Sequence, residues 1–236
     1  MSRRKNRAPA RPTVVFDFGG VLSAGHDPVS DLHELLGGDR EAVEAALWEH
    51  RADYDRGAIS PAEYWGRVAQ AAGMENLSET EVEDLQDTDN RYFLRLDPAS
   101  RELIHDLARA EVPLVLLSNA SASFGEAVRR ADWFEAFSFA VISGEEHVLK
   151  PDREIFEILL DALAHEMGGV RQPGAIIFFD DRPDNVEAAR ALGIDAYLWP
   201  RNGETPAAAT SESSDSAEHG AISARRVLAA RGIALD

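Results

Sequence analysis

The sequence predicts an α/β protein, a Rossmann-like parallel sheet wound with helices, plus a small all-helical cap domain inserted after the first strand. Two observations carry this prediction. Apolar runs of strand length alternate with helical patterns along most of the chain, which is typical of a parallel sheet with helical connections. Between about Ser23 and Asp97 the alternation stops, and only helical segments with capping signals follow one another.

The first predicted strand is an apolar run, Val14 to Phe16, that leads into Asp17, Phe18 and a Gly19-Gly20 turn. Such a run suits a strand buried on both faces that ends in a tight turn. Asp17 should therefore lie at the carboxyl end of the strand, the edge of an α/β sheet at which ligands bind.

Three start signals place helices in the insertion. Asp27-Pro28 opens a helix expected to end near Gly37, and Ser60 to Glu63 is a capping box that starts a helix to Gly73. Ser78 to Glu81 is a second capping box. A helical insertion beside a ligand-binding edge is expected to act as a lid.

The alternating pattern then resumes. The predicted strands are Val112 to Leu117, Phe139 to Ile142, Ala175 to Phe179 and Ala196 to Trp199. The predicted helices start at Asp97-Pro98 and run over Asp152 to Ala164 and Pro183 to Leu192. We expect a disordered basic leader over 1–12, a core of 13–22 and 98–201, a cap of 23–97, a flexible linker over 202–220 and a C-terminal helical segment over 221–236.

Composition limits the possible functions. The 236 residues carry a net charge of −18, which should repel nucleic acid, although the first twelve residues hold five basic groups and no acid. The absence of cysteine excludes disulfides and thiol catalysis. No apolar run is long enough to span a bilayer, and the basic start lacks the apolar core of a signal peptide, so we expect a cytoplasmic protein without a membrane partner. No feature indicates an oligomeric state.

Further polar residues follow the predicted strands. Ser118-Asn119 and Asp180-Asp181 each end a strand, and Lys150-Pro151 precedes a helix. In a parallel sheet these groups should share the edge with Asp17. Taken alone, Asp180-Asp181 is as consistent with a helix cap, Ser118-Asn119 favours a cap, and Lys150-Pro151 indicates nothing. The combination and order of these pairs favour an active site for phosphoryl chemistry.

That set of groups suits a phosphorylated ligand and a metal. Asp17, Asp180 and Asp181 form a hard oxygen cluster of the kind that binds Mg²⁺. Ser118 can bind phosphoryl oxygens, and Lys150, one of only two lysines in the chain, can neutralise the charge of a transferring phosphoryl group.

Five segments carry a family resemblance. VVFDFGGVL, LLSNAS, LKPDREIF and IFFDDRPDNVEAARALGI resemble the four signature motifs of the haloacid dehalogenase superfamily, in order, and YDRGAISPAEYW resembles its substrate-facing cap loop. The chain is most similar to the branch that contains glucose-1-phosphate phosphatases and the N-terminal phosphatase domain of epoxide hydrolases.

The resemblance implies a role for each matched residue. Asp17 would be the nucleophile that forms an aspartyl-phosphate, and Lys150 would orient it and neutralise the phosphoryl group. Mg²⁺ would be bound by Asp17, the Gly19 carbonyl and Asp181. Further implied contacts are Asp180 in or next to the metal's coordination sphere, Asn185 behind the metal ligands, Ser118 and Asn119 at the phosphoryl group, and Tyr54 and Arg56 at the substrate.

Gly19 departs from the family pattern. Most phosphatases of the superfamily have a second Asp there, which acts as general acid and base, and its loss typically costs about 10²- to 10⁴-fold in rate. Three explanations stay open: a leaving group that tolerates poor protonation, such as an anomeric phosphate; a substitute group such as His26 or Asp27; or a non-catalytic protein that binds phosphorylated ligands in a regulatory role.

We therefore expect a Mg²⁺-dependent hydrolase that removes phosphate from a small phosphorylated metabolite, with a sugar phosphate as one candidate. A haloacid dehalogenase is the alternative enzyme, since such enzymes also lack the second Asp. They work without metal and generally replace the acidic pair of the fourth motif, whereas this chain keeps Asp180 and Asp181.

Overall fold

The computed structural model describes residues 12–23, 28–166, 172–200 and 216–235. Its centre is a five-stranded parallel sheet with the strand order β3-β2-β1-β4-β5. The strands are β1 (Thr13–Phe16), β2 (Leu114–Ser118), β3 (Phe139–Ile142), β4 (Ile176–Asp180) and β5 (Asp195–Leu198). The predicted fold class is confirmed. Most of the predicted leader, the start of the predicted linker, and His26 and Asp27 lie outside the described residues.

Helices cover both faces of the sheet, because successive strand residues point to opposite sides. Val14 and Phe16 of β1 pack into one apolar cluster, whereas Val15 packs into the other. The helices on the Phe16 side are α6 (Pro98–Arg109), α7 (Ala122–Val128) and α11 (Ser216–Ala230). The helices on the Val15 side are α9 (Arg153–Glu166) and α10 (Pro183–Ala191). The short α8 (Ser143–Glu146) follows β3.

Five helices between β1 and α6 form a cap with an apolar core of its own. They are α1 (Pro28–Leu36), α2 (Arg40–Glu49), α3 (Arg51–Asp55), α4 (Pro61–Ala71) and α5 (Glu79–Phe93). The capping box predicted at Ser78 is confirmed, with its side chain and that of Glu81 bonding reciprocally to the backbone. The Ser60 hydroxyl accepts a hydrogen bond from the Glu63 amide at 3.2 Å.

Two chain segments that run side by side connect the cap to the sheet. Ser23 and Leu96 form an isolated antiparallel bridge, and the Asp97 amide donates to the Leu22 carbonyl at 2.9 Å. Since Leu22 lies just beyond β1, the cap is attached at the carboxyl edge of the sheet. None of the helices in the described part of the chain is long and apolar enough to cross a membrane.

Helix α11 begins at Ser216, earlier than the sequence predicts, and continues through Gly220. Within this helix, a Cβ built on Gly220 would lie 2.1 Å from Cε2 of Trp199. Gly220 is thus the position at which the helix backbone meets the buried indole that follows β5. Further along α11, Arg225 forms an ion pair with Asp106 of α6.

The substitution Gly220→Ala should destabilise the protein by about 1–3 kcal/mol, because the added methyl group forces the helix or Trp199 to move. Urea unfolding followed by tryptophan fluorescence measures the change. Arg226→Ala, an exposed substitution on the same helix, is the control and should stay within about 0.5 kcal/mol of the parent. Equal stability of the two variants would contradict the docking of α11 against Trp199.

Candidate active site

The carboxyl ends of three adjacent strands meet at one edge of the sheet. Asp17 follows β1, Ser118 ends β2 and Asp180 ends β4. The register places Phe16 opposite Leu116 and Phe179, and the Asp17 amide donates to the Phe179 carbonyl at 2.9 Å. The parallel pairing therefore carries the polar residue at each strand end to the same place.

The ammonium of Lys150 lies at the centre of this edge. Its Nζ is 2.7 Å from Asp17 Oδ1 and 2.7 Å from Asp180 Oδ2, and it donates to the Leu117 carbonyl at 2.9 Å. Three acceptors thus match the three donors of an ammonium. A planar guanidinium could not supply three bonds in these directions from one atom, which gives a physical reason for a lysine in an arginine-rich chain.

The Asn119 side chain fixes the backbone at Lys150. Its Nδ2 donates to the Lys150 carbonyl at 2.9 Å, and its Oδ1 accepts from the Lys150 amide at 2.8 Å. The amide group of Asn119 is therefore engaged in positioning Lys150 rather than directed at a phosphoryl group. A direct contact between Asn119 and a phosphoryl group would therefore be made by the Asn119 backbone.

Asp180 is fully buried, and hydrogen bonds reach both of its oxygens. Oδ1 accepts from the Arg182 amide at 2.8 Å and from Asn185 Nδ2 at 2.9 Å. Oδ2 accepts from Lys150 at 2.7 Å and from Asn185 at 3.0 Å. Asp180 thus holds Lys150 and Asn185 in place, which favours a supporting position over direct metal coordination.

The edge carries more negative than positive charge. Asp17, Asp180 and Asp181 each place a carboxylate oxygen within 4.8 Å of the others, against the one ammonium of Lys150. Burial raises the pKa of Asp17 to about 7, with Lys150 lowering it and the charges of Asp180 and Asp181 raising it further. Burial alone would lower the pKa of Lys150, but the charges of Asp17 and Asp180 outweigh this and raise that pKa.

The residues at the edge fit a hard divalent cation. Crowded carboxylates are stabilised by a cation between them, and carboxylate and carbonyl oxygens are the ligands that Mg²⁺ prefers. Asn185 Oδ1 is buried and has no hydrogen-bond partner within the described part of the chain, so an additional polar acceptor lies beside the cluster. Close packing also requires Gly20 here, since a Cβ at this residue would lie 2.6 Å from Asp181 Oδ2.

Unlike Gly20, Gly19 has open space where a side chain would begin. A Cβ built on Gly19 meets no atom of the described residues within 4 Å, and Gly19 lines the cavity in front of the edge. Space alone would therefore allow a second acid at this position.

The cavity in front of the edge has a volume of about 540 Å³, and core and cap both line it. The core contributes Asp17, Lys150 and Asp181, and the cap contributes Arg51 and the exposed Arg56. A recess of about 160 Å³ adjoins it. The recess is lined by Phe18, Gly19, Trp48, Arg51, Asp55, Phe93, Ser118, Asn119, Ala120 and Phe124.

Tyr54 lies away from both spaces, although the sequence suggests it as a substrate contact. Its ring is buried and stacks on Tyr64 with 4.2 Å between ring centroids. Its hydroxyl is 3.2 Å from the Ser123 hydroxyl of α7. The stacking turns Tyr54 towards the interior, so it joins cap to core, whereas its neighbour Arg56 reaches the cavity.

Sequence-based prediction missed the four residues that the cap contributes to the recess, which are Trp48, Arg51, Asp55 and Phe93. Arg51 lies over the Phe93 ring at 4.8 Å and binds two buried carboxylates, those of Asp55 and Asp89. The position of Asp55 between Tyr54 and Arg56 was an available signal. Trp48, Arg51 and Phe93 come together only through packing of α2, α3 and α5, which no local pattern indicates.

The model of the haloacid dehalogenase-like hydrolase family matches residues 12–193. The chain belongs to this family. The matched region contains the cap, strands β1 to β4 and the residues of the sheet edge described above. The family resemblance expected from the motifs is therefore confirmed, and the protein is a hydrolase of this family.

Two curated relatives are phosphatases. The sesquiterpene phosphatase astK of Aspergillus oryzae (strain ATCC 42149 / RIB 40) is 26% identical over 182 residues, which cover 77% of this chain and 86% of the relative. Phosphatase MT3486 of Mycobacterium tuberculosis (strain CDC 1551 / Oshkosh) is 25% identical over 198 residues, which cover 81% of this chain and 88% of the relative.

A solved structure shares the fold. The HAD family enzyme bt-2542 of Bacteroides thetaiotaomicron, in complex with magnesium and inorganic phosphate, matches with a TM-score of 0.61 and 22% identity. The match covers 84% of this chain and 98% of that chain.

Mg²⁺ should raise the unfolding temperature of the protein, because a ligand that binds only the folded state stabilises it by about 2.7 kcal/mol at 100 times its Kd. Asp181→Asn should lose most of this rise, since it removes one charged ligand oxygen. The control is Asp184→Asn, which changes an exposed acid nearby on α10. Thermal unfolding with and without Mg²⁺ measures both, and an undiminished rise in Asp181→Asn would contradict the assigned site.

Proposed function

We propose that this protein is a Mg²⁺-dependent phosphatase that releases phosphate from a small phosphorylated metabolite through an aspartyl-phosphate on Asp17. The observation that carries the proposal is the buried Lys150 ammonium, 2.7 Å from both Asp17 and Asp180, beside the acidic Asp181. This arrangement places a carboxylate nucleophile, a fixed positive charge and metal-ligand oxygens around one point.

Each residue at the edge has a proposed task. Asp17 attacks phosphorus, Lys150 orients Asp17 and offsets charge on the phosphoryl oxygens, and Ser118 and the backbone at Asn119 bind those oxygens. Asp17, Asp181 and the Gly19 carbonyl would hold Mg²⁺, with Asp180 and Asn185 behind them. When bound, Mg²⁺ supplies positive charge that stabilises the phosphoryl group and offsets the repulsion between carboxylates.

Asp181 and the buried Asp17 favour a phosphatase over a dehalogenase and over a non-catalytic binding protein. A dehalogenase that works without metal has no use for Asp181 beside Asp17, where it adds to the repulsion between carboxylates. A non-catalytic phospholigand-binding protein has no use for a buried nucleophile held by an ammonium. A cytoplasmic location is a part of the proposal that rests on sequence composition alone.

The recess favours one substrate class. A sugar phosphate is the candidate suggested by the sequence, but Phe18, Trp48, Phe93 and Phe124 make much of the wall of the recess apolar. Its volume of about 160 Å³ is close to that of engineered apolar cavities that hold benzene. We therefore favour a phosphate ester with an apolar organic part, in keeping with a relative named as a sesquiterpene phosphatase.

Wild-type protein should release inorganic phosphate from a panel of phosphate esters in the presence of Mg²⁺, and Asp17→Asn should lower the rate at least about 10³-fold, since it removes the nucleophile. A phosphate-release assay with and without chelator measures this. Asp184→Asn should retain its activity as the matched acid-to-amide control. Ligand binding without turnover in the wild type would contradict the phosphatase proposal, and chelator-resistant halide release would indicate a dehalogenase.

Trp48→Ala should lower kcat/KM for a prenyl phosphate by about tenfold, which corresponds to roughly 1.4 kcal/mol of lost apolar contact, and should leave kcat/KM for glucose 1-phosphate nearly unchanged. Steady-state kinetics with the two substrates measure the difference. Leu35→Ala, which truncates another exposed apolar side chain of the cap outside the recess, is the control. Equal losses for both substrates would contradict the proposed apolar preference.

A further inference from the structure

We propose that Asp55 of the cap performs the proton transfers for which Gly19 has no side chain, as general acid and then as general base. This inference deepens the phosphatase function proposed above and rests on it. It arises from the position of the buried Asp55 beside the cavity.

The backbone of Asp55 is anchored to the core beside the active edge. Its carbonyl accepts a hydrogen bond from the Ser143 hydroxyl at 2.6 Å, and the oxygen of that hydroxyl accepts from the Ala120 amide at 2.9 Å. The Asp55 carboxylate also takes a hydrogen bond from the backbone of Ser121. Asp55 therefore faces the loop that continues from Ser118, although it belongs to the cap.

Asp55 also faces the open space beside Gly19. Both residues line the cavity of about 540 Å³ and the recess of about 160 Å³. Among the residues that the structure describes, the recess has no other carboxylate in its wall. The remaining acids of the cavity are Asp17 and Asp181, which have other tasks, and the exposed Asp152.

The charges around Asp55 suit proton exchange. Arg51 Nε donates to the two Asp55 oxygens at 2.9 and 3.1 Å, and its Nη1 donates to the two Asp89 oxygens at 3.0 and 3.1 Å. Two buried carboxylates therefore share one guanidinium, and the cluster has one negative charge in excess. A proton on one carboxylate neutralises that excess.

The groups facing Asp55 come from four elements: Arg51 of its own helix, Tyr64 of α4, Asp89 of α5 and the Ser121 amide of the core. Burial raises the pKa of Asp55 to about 6, with Arg51 and Ser121 opposing the rise and Asp89 adding to it. Burial also raises the pKa of Tyr64, which therefore stays neutral. A carboxyl group in this range can both give and take a proton near neutral pH.

Asp55 transfers one proton in each of two chemical steps. Asp17 attacks phosphorus while protonated Asp55 gives its proton to the ester oxygen, so that the P–O bond to the leaving group breaks and a neutral alcohol departs. Ionised Asp55 then takes a proton from a water whose oxygen attacks phosphorus. The bond between phosphorus and the Asp17 oxygen breaks, phosphate is released, and Asp55 is again protonated.

The decisive experiment compares leaving groups. Asp55→Asn should lower kcat for an alkyl phosphate by about 10²- to 10⁴-fold. With p-nitrophenyl phosphate, whose leaving group needs no proton, the same variant should keep a rapid burst of nitrophenol and then turn over slowly, because water activation is lost. Stopped-flow and steady-state assays in Mg²⁺ measure both phases.

Asp89→Asn is the matched control, since it also removes one carboxylate from Arg51 but lies outside the cavity lining. It should slow both substrates by the same factor, below about tenfold. Gly19→Asp added to Asp55→Asn should restore alkyl phosphate turnover at least tenfold, because a Cβ at Gly19 meets no described residue within 4 Å and the new carboxylate enters the cavity that Asp55 also lines. If Asp55→Asn fails to fold, Asp55→Glu replaces it in the test because it keeps the charge of the cluster. This variant should show the same dependence of the rate on the leaving group.

Several outcomes would overturn the inference. Wild-type rates in Asp55→Asn, or an equal loss for both substrates without a burst, would assign Asp55 a purely structural role while leaving the phosphatase function intact. A wild-type protein that releases no phosphate from any substrate would instead overturn the proposed function itself, and this inference with it.

Discussion

Lys150 carries the buried positive charge on which the arrangement of the sheet edge depends, because Asp17 and Asp180 end two adjacent strands and each lies 2.7 Å from its ammonium. Without that charge, the carboxylates of Asp17 and Asp180 would be buried side by side with no cation between them. Removing one partner of such a buried pair typically costs about 3–5 kcal/mol. The support around Lys150 follows from this constraint: the Leu117 carbonyl takes its third proton, and the Asn119 side chain holds its backbone.

The cap contains a second cluster of the same composition, one cation between two acids. Arg51 and Asp55 of this cluster line the cavity opposite Lys150 and Asp17. The cations differ because their tasks differ. The planar guanidinium of Arg51 binds two carboxylates from two helices, one through Nε and the other through Nη1, whereas the ammonium of Lys150 binds three acceptors through one atom. Between the clusters lies the space that the missing side chain of Gly19 leaves open, which is why the proton source is expected in the cap.

The sequence predicted the sheet and its edge well, because both depend on local patterns. Apolar runs that end in Asp17, Ser118 and Asp180 define buried strands, and parallel pairing brings such ends together. Predictions about side-chain direction were less complete. Tyr54 and Asp55 are consecutive, yet only Asp55 lines the cavity, because stacking of Tyr54 on Tyr64 depends on how the cap helices pack. The close packing of α11 at Gly220 likewise depends on a tertiary contact, here with Trp199.

The central claim is that Asp17, held by Lys150, receives the phosphoryl group. The most direct measurement is acid quenching of the Mg²⁺-loaded enzyme during turnover, followed by borohydride reduction and mass spectrometry of the peptide that contains Asp17. An aspartyl-phosphate is reduced under these conditions, so the account predicts homoserine at Asp17 in samples quenched with substrate and unchanged aspartate without it. Phosphate release with unmodified Asp17 at every quench time, or a phosphoryl group on Ser118 instead, would contradict the account.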